Sequence, residues 1–211
     1  MKKVLMMMAL VFMALSTNAQ SAVSKQLQKQ MQKEYKQKVK EFKKDNWQIF
    51  GSSRTLEVAL LTHYEKLAKA GDAAFEVTGT ASKFKSKNIG HQTAINNACN
   101  IYARQAESSI KGRIVSDMGA NSDSIAAEFD HFYAAYESMV EKEIKGEMQE
   151  SFSMIRNLGD GSYEMQSFFI VNNEAATKAR IRAFELAAKE SAAAKMNAEQ
   201  ISKFIKEGFN K

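Results

Sequence analysis

The side chains able to do chemistry are few and scattered. His63, His91 and His131 each stand alone in a helical pattern, with no carboxylate or thiol at the spacing a bound metal needs, and are read as surface or helix-flank residues. Cys99 is the single cysteine, so the chain closes no disulfide within itself. It lies between Ala98 and Asn100 on an apolar helical stripe, where a small buried hydrophobe is a better reading than a reactive thiol. G-x-S-x-G, P-loop and H-E-x-x-H patterns do not occur. Gly159-Asp160-Gly161 is glycine-rich, but a hairpin accounts for it without a phosphate, and Glu141, Glu143 and Asp160 have no partner that spacing alone sets opposite them. The expectation is a non-enzymatic chain with no catalytic, cofactor-binding or metal-binding residues.

Two stretches carry other chemistry. Asp123-Ser124-Ile125 resembles the Asp-Ser/Thr-aliphatic acceptor of bacterial periplasmic O-glycosylation, in a turn-rich stretch, with Ser124 as the acceptor; its plainer role is to cap a helix. The second stretch is charged. The chain has 30 basic and 24 acidic residues, net +6, yet residues 25–45 hold eight lysines against Glu34, Glu41 and Asp45, and the chain from Asn46 onward carries about −1. Val23, Leu27, Met31, Tyr35, Val39 and Phe42 recur every three or four residues among these lysines, which predicts a basic amphipathic helix over 20–45. Such a helix can lie on an anionic membrane, bind nucleic acid, or pack on another helix. Lys29, Lys33, Lys36 and Lys40 are the candidates for contact with anionic lipid or glycan. Glutamines rather than aromatics fill the polar side, which favours helix pairing with a solvated lysine face.

The first residues set the compartment. Lys2-Lys3, the apolar run Val4 to Leu15 and the short residues Thr17-Asn18-Ala19 read as a signal peptide over 1–19, cleaved after Ala19. The run is shorter than the ~20 residues a bilayer span requires, and no cysteine stands at the cleavage point to take a lipid. A periplasmic or secreted protein is expected, able to touch a membrane surface but not to span it. Export argues against a nucleic-acid partner; a protein partner or homo-oligomer is expected instead.

The positioning elements follow from periodicity. A 45% hydrophobic, 26% charged composition is globular, and the absence of proline with only 10 glycines favours long helices. Phe75 to Phe84 alternates as a strand. Ile95, Ala98, Cys99, Tyr102, Ala106, Ile110 and Ile114 then mark one face of a long helix laid on a sheet. Before them, Gly51-Ser52-Ser53 makes a turn whose Ser53 caps a helix running to Gly71, with Leu56, Ala59, Leu60, Tyr64 and Leu67 inward. Trp47 to Phe50 either enters the core or begins a strand. After Gly119 to Ser124, an aromatic stripe of Ile125, Phe129, Phe132, Tyr133, Tyr136 and Val140 reads as a core face rather than a ligand pocket. Lys142 to Gly146 fits either helix or strand. Glu147–Arg156 and Ser162–Val171 form a hairpin about Leu158 to Gly161.

Asn172-Asn173 caps an alanine-rich helix from Glu174 to Phe209. Its Ala187, Ala194, Ala198, Ile201, Phe204 and Ile205 form a seam for the basic helix or for a second copy. The expected class is therefore α+β: a small antiparallel three-stranded sheet packed by a long helix, with long N- and C-terminal helices. The divisions are 1–19, 20–45, an α+β core at 46–172, and 173–211.

The order of an exported start, Gly79-Thr80-Ala81 in an alternating strand, the Ala/Asn-rich helix from Gln92 to Arg104, and a hairpin at Asp160-Gly161 resembles the LPP-type twenty-kilodalton envelope lipoprotein family, over about Trp47 to Val171. That resemblance implies a small α+β domain in the bacterial envelope with no established catalysis. The chain departs from the pattern in lacking a lipidated cysteine and in its long terminal helices, so membrane tethering and functional residues do not carry over.

Overall fold

The computed structural model describes residues 29–118 and 123–208. Residues 1–28, which include the expected signal peptide and Val23, Lys25 and Leu27 of the basic stretch, and residues 119–122 and 209–211 lie outside these residues. What is described falls into two compact units divided between Asp45 and Asn46. The first contributes helix α1, residues 29–44. The second is an α+β body.

The body is built on a four-stranded antiparallel sheet of order β1-β3-β4-β2: β1 is Gln48–Phe50, β2 Ala74–Phe84, β3 Met148–Asn157 and β4 Tyr163–Asn172. The α+β class stands, but the expected strand count is corrected from three to four. Gln48, Ile49 and Phe50 pair with Ile155, Met154 and Ser153, and a strand of three residues is too short to display a period of two in sequence. The hairpin is as expected. Gly159 and Gly161 take φ of +87° and +80°, and the Leu158 amide donates to the Ser162 carbonyl at 3.0 Å. Asp160 accepts from the Ser162 hydroxyl and amide, which together hold its carboxyl below the usual carboxylate range.

Helix α3, Lys87–Met118, sits on one sheet face. Gly79, Ser167 and Ser153 are register partners across three strands, a row of minimal side chains on which the helix rests. A Cβ on Gly79 would lie 1.9 Å from the Ala94 carbonyl oxygen, so helix and strand backbones are as close as glycine alone permits. Tyr102, fully buried, stacks on Phe75 of β2 at 5.8 Å. Ile95 is half-buried on the same face and Ile110 and Ile114 are buried, as the apolar period predicts. At 32 residues, about 48 Å, α3 outruns the sheet, and its second half packs on helices rather than strands.

Those helices are α4, Asp123–Lys145, and the C-terminal segment. The aromatic stripe of α4 is core: Phe132 and Tyr136 are fully buried and stack at 5.8 Å, and Phe184 meets Phe132 edge-on. Residues 142–145 belong to this helix, which settles the choice between helix and strand.

The single C-terminal helix expected from Glu174 to Phe209 is corrected. The chain forms α5, Asn173–Ala187, a 3-10 turn at Ala188–Glu190, α6, Ala192–Met196, and α7, Ala198–Glu207. Asn172 Oδ1 accepts from the Glu174 and Ala175 amides to start α5, as expected. The break needs neither glycine nor proline. Ser191 is extended at φ −136° and its Oγ accepts from the Ala194 amide, so a new cap restarts the helix. Ala187, Ala194, Ile201, Phe204 and Ile205 are buried in the same core as α3 and α4, so this seam closes the body. Arg180, also buried, donates to Tyr102 Oη, to Thr177 Oγ1 at 2.9 Å and to the Ile205 carbonyl at 3.3 Å, tying α5 to α3 and α7.

The other sheet face carries α2, Leu56–Ala70, capped by Thr55 Oγ1 rather than by Ser53 and ended at Gly71, φ +53°. His63 of α2 is fully buried, which corrects its reading as a surface residue. The period places it beside Leu60 and Ala59, and its Nε2 bonds Glu76 of β2 while the rings of Phe152 and Phe168 meet it edge-on.

Candidate anionic-surface site

The geometry of α1 follows from 100° of turn per residue. Taking Lys29 as the origin, Lys36, Lys40, Lys33 and Lys44 fall between about −20° and +60°, so five lysines occupy an arc of roughly 80°. All five are exposed. Met31, Phe42, Tyr35 and Val39 fall between about 200° and 280° and are half-buried. Glu34, Glu41 and Asp45 fall between about 120° and 160°, next to the apolar seam and off the lysine arc.

The acidic side chains are held there. Gln30 Nε2 donates to Glu34 Oε1 at 3.3 Å and Gln37 Nε2 to Glu41 Oε1 at 2.9 Å, both pairs four residues apart on the flank of the helix. Among the described residues, Lys29, Lys33, Lys36, Lys40 and Lys44 enter no hydrogen bond or ion pair. The four lysines picked out by the sequence are thus brought onto one face. Lys44 was missed, although the same rotation arithmetic finds it.

The body offers less. Cys99 is buried with Sγ 3.8 Å from Met148 Sδ, and burial pushes its thiol pKa up, away from the reactive thiolate. His91 is half-buried and bonds Glu150 at 3.0 Å, His131 is exposed, and Glu143, for which spacing named no partner, meets Arg182 at 2.5 Å. Among the described residues no group of three or more His, Cys, Asp or Glu side chains is placed to hold a metal, and no helix is long and apolar enough to cross a membrane. An open cleft of about 1070 Å³ lies between the end of α3 and α7, but its Arg113 is engaged by Asp117 at 3.1 Å and Glu207 at 2.6 Å and lies over the Phe204 ring. Ser124 falls in the first turn of α4, and its side chain is outside what the structure describes.

No family model, curated protein or solved structure matches the chain. The likeness to the LPP-type envelope family therefore rests on the order of short motifs alone.

Proposed function

We propose that this chain is a non-enzymatic, exported protein of the bacterial cell envelope, an interaction or structural module whose basic helix binds an anionic lipid or glycan surface. The envelope setting rests on the leader-like residues 1–19 and on the motif resemblance. The observation that carries the binding role is the exposed lysine arc of α1, on which no carboxylate stands, Glu34, Glu41 and Asp45 being placed at about 120° to 160°. A buried ion pair closes on itself, whereas an exposed ammonium stays hydrated and free to meet a partner charge.

The test is retention of the purified protein on anionic vesicles and on an immobilised sulfated glycan. Retention on at least one is expected, together with its loss when Lys29, Lys33, Lys36 and Lys40 are all changed to Gln. Passage through both without retention overturns the proposal.

A further inference from the structure

We infer that α1 meets a lipid bilayer as a peripheral rod, with Lys29, Lys33, Lys36, Lys40 and Lys44 laid on anionic headgroups and the apolar seam turned away from the hydrocarbon. This rests on the proposed anionic-surface role and specifies both its partner and its mode.

A helix that inserts into the interface puts its apolar face down, and its lysines flank that face so their stems follow the apolar surface while the ammonium groups reach up to the headgroups. In α1 the lysine arc is centred roughly 145° from the centre of the Met31, Tyr35, Val39 and Phe42 seam. With the seam down, these five ammonium groups would face water and only Lys38 and Lys43, at about 180° and 320°, would flank the buried face. Glu34, Glu41 and Asp45, which border the seam, would be pressed toward the anionic headgroups instead. Turning the lysine arc down reverses both effects. It brings five positive charges to the surface and lifts the three carboxylates off it.

The spacing favours a lipid layer over a polymer. At 1.5 Å rise per residue the five lysines follow one another at about 6, 4.5, 6 and 6 Å and stand on both sides of the helix line. That is not a fixed repeat against which a regular chain of charges would register. Headgroups in a fluid leaflet move laterally to meet the ammonium groups wherever they stand. Lysine, with its four-carbon stem and strongly hydrated head, suits such non-directional contact, whereas bidentate recognition of a fixed phosphate calls for arginine, and the helix has none.

The experiment is cosedimentation of the full protein with phosphatidylcholine vesicles, with and without about 30 mol% phosphatidylglycerol, across about 50 to 300 mM salt. Bound protein is expected on the anionic vesicles only, falling steeply with salt. Each Lys→Gln change on the arc should weaken partitioning about fivefold, and all five together about a thousandfold or more. A Met31→Trp variant, read against the native Trp47, should show no quenching by lipids brominated in the acyl chains. Salt-resistant binding with strong quenching of that tryptophan overturns the inferred mode while leaving the anionic-surface role standing. Binding to a soluble sulfated glycan but not to anionic vesicles overturns the lipid assignment alone. Binding to neither removes the role as well.

Discussion

The two units hold their positive charge in different ways. In the body, Arg156 meets Glu164 at 2.6 Å and lies over the Trp47 ring, Arg182 bridges Glu143 and Glu147, and Arg113 joins Asp117 to Glu207. Asp117 and Glu164 are local partners, within one helix and across one hairpin, while Glu207, Glu143 and Glu147 come from distant elements, and together these guanidinium contacts fasten the fold. Helix α1 has lysines only, and the acids beside them are paired with glutamines. These guanidinium charges of the body are held by acidic partners, whereas the lysines of the arc stand exposed. A net +6 averaged over 211 residues conceals this division.

The comparison predicts that the body is intolerant of small changes and α1 tolerant of large ones. The largest effect should come from Gly79→Ala. The added methyl meets backbone atoms of α3 rather than a flexible side chain, so a loss of about 3 kcal/mol or more is expected in urea unfolding. A near-normal midpoint would mean that α3 does not rest on β2 as described.

Next come two tyrosines that lose the same atom. Tyr102→Phe takes an acceptor from the buried Arg180 guanidinium and should cost about 1 to 3 kcal/mol. Tyr136→Phe removes a buried hydroxyl that has no hydrogen-bond partner among the described residues, and should be neutral or stabilising within about 1 kcal/mol. Equal costs for the two would contradict the role given to Arg180.

Alkali gives a third contrast. Burial, reinforced by Glu107 and Asp130, pushes the Tyr133 phenol up to about 12, and burial also raises Tyr102. The folded state then holds these protons more tightly than the unfolded state, whose tyrosines titrate near about 10. Stability from these groups is complete below about pH 10 and drains away as the pH rises toward about 12. Circular dichroism followed together with tyrosinate absorbance should show the loss of structure and the ionisation of these phenols as one event. Ionisation of every tyrosine near pH 10 with the fold intact would refute the burial assigned to them.

How far the sequence discloses this molecule depends on the length scale of each signal. Long periodic segments are legible: the face of α3, the aromatic core stripe of α4, the hairpin at Asp160-Gly161 and the Asn172 cap all follow from spacing and residue type. Signals that need a partner distant in sequence are not. Strand β1 is three residues long and exists through its pairing with β3. His63 looks like any helix-flank histidine until Phe152 and Phe168, some 90 to 105 residues later, arrive to cover it. The division of the C-terminal segment turns on one serine that caps where alanine would continue. For the candidate site, Lys29, Lys33, Lys36 and Lys40 are visible in the sequence as charge, but the bonds of Glu34 and Glu41 to Gln30 and Gln37 are a matter of side-chain conformation.

The smallest effect on stability should come from the arc itself. Changing Lys29, Lys33, Lys36 and Lys40 to Gln should alter the unfolding free energy by no more than about 0.5 kcal/mol, because among the described residues none of the four enters a hydrogen bond or ion pair. The measurement that bears most directly on the whole account matches this variant against one with Lys66, Lys85, Lys189 and Lys195, all exposed on the body, changed to Gln, so that both lose the same net charge. Binding to anionic vesicles is measured for each at low salt. The account predicts that binding is lost in the arc variant and nearly unchanged in the body variant; equal losses in the two would show that net charge alone, and not the lysine face of α1, is responsible.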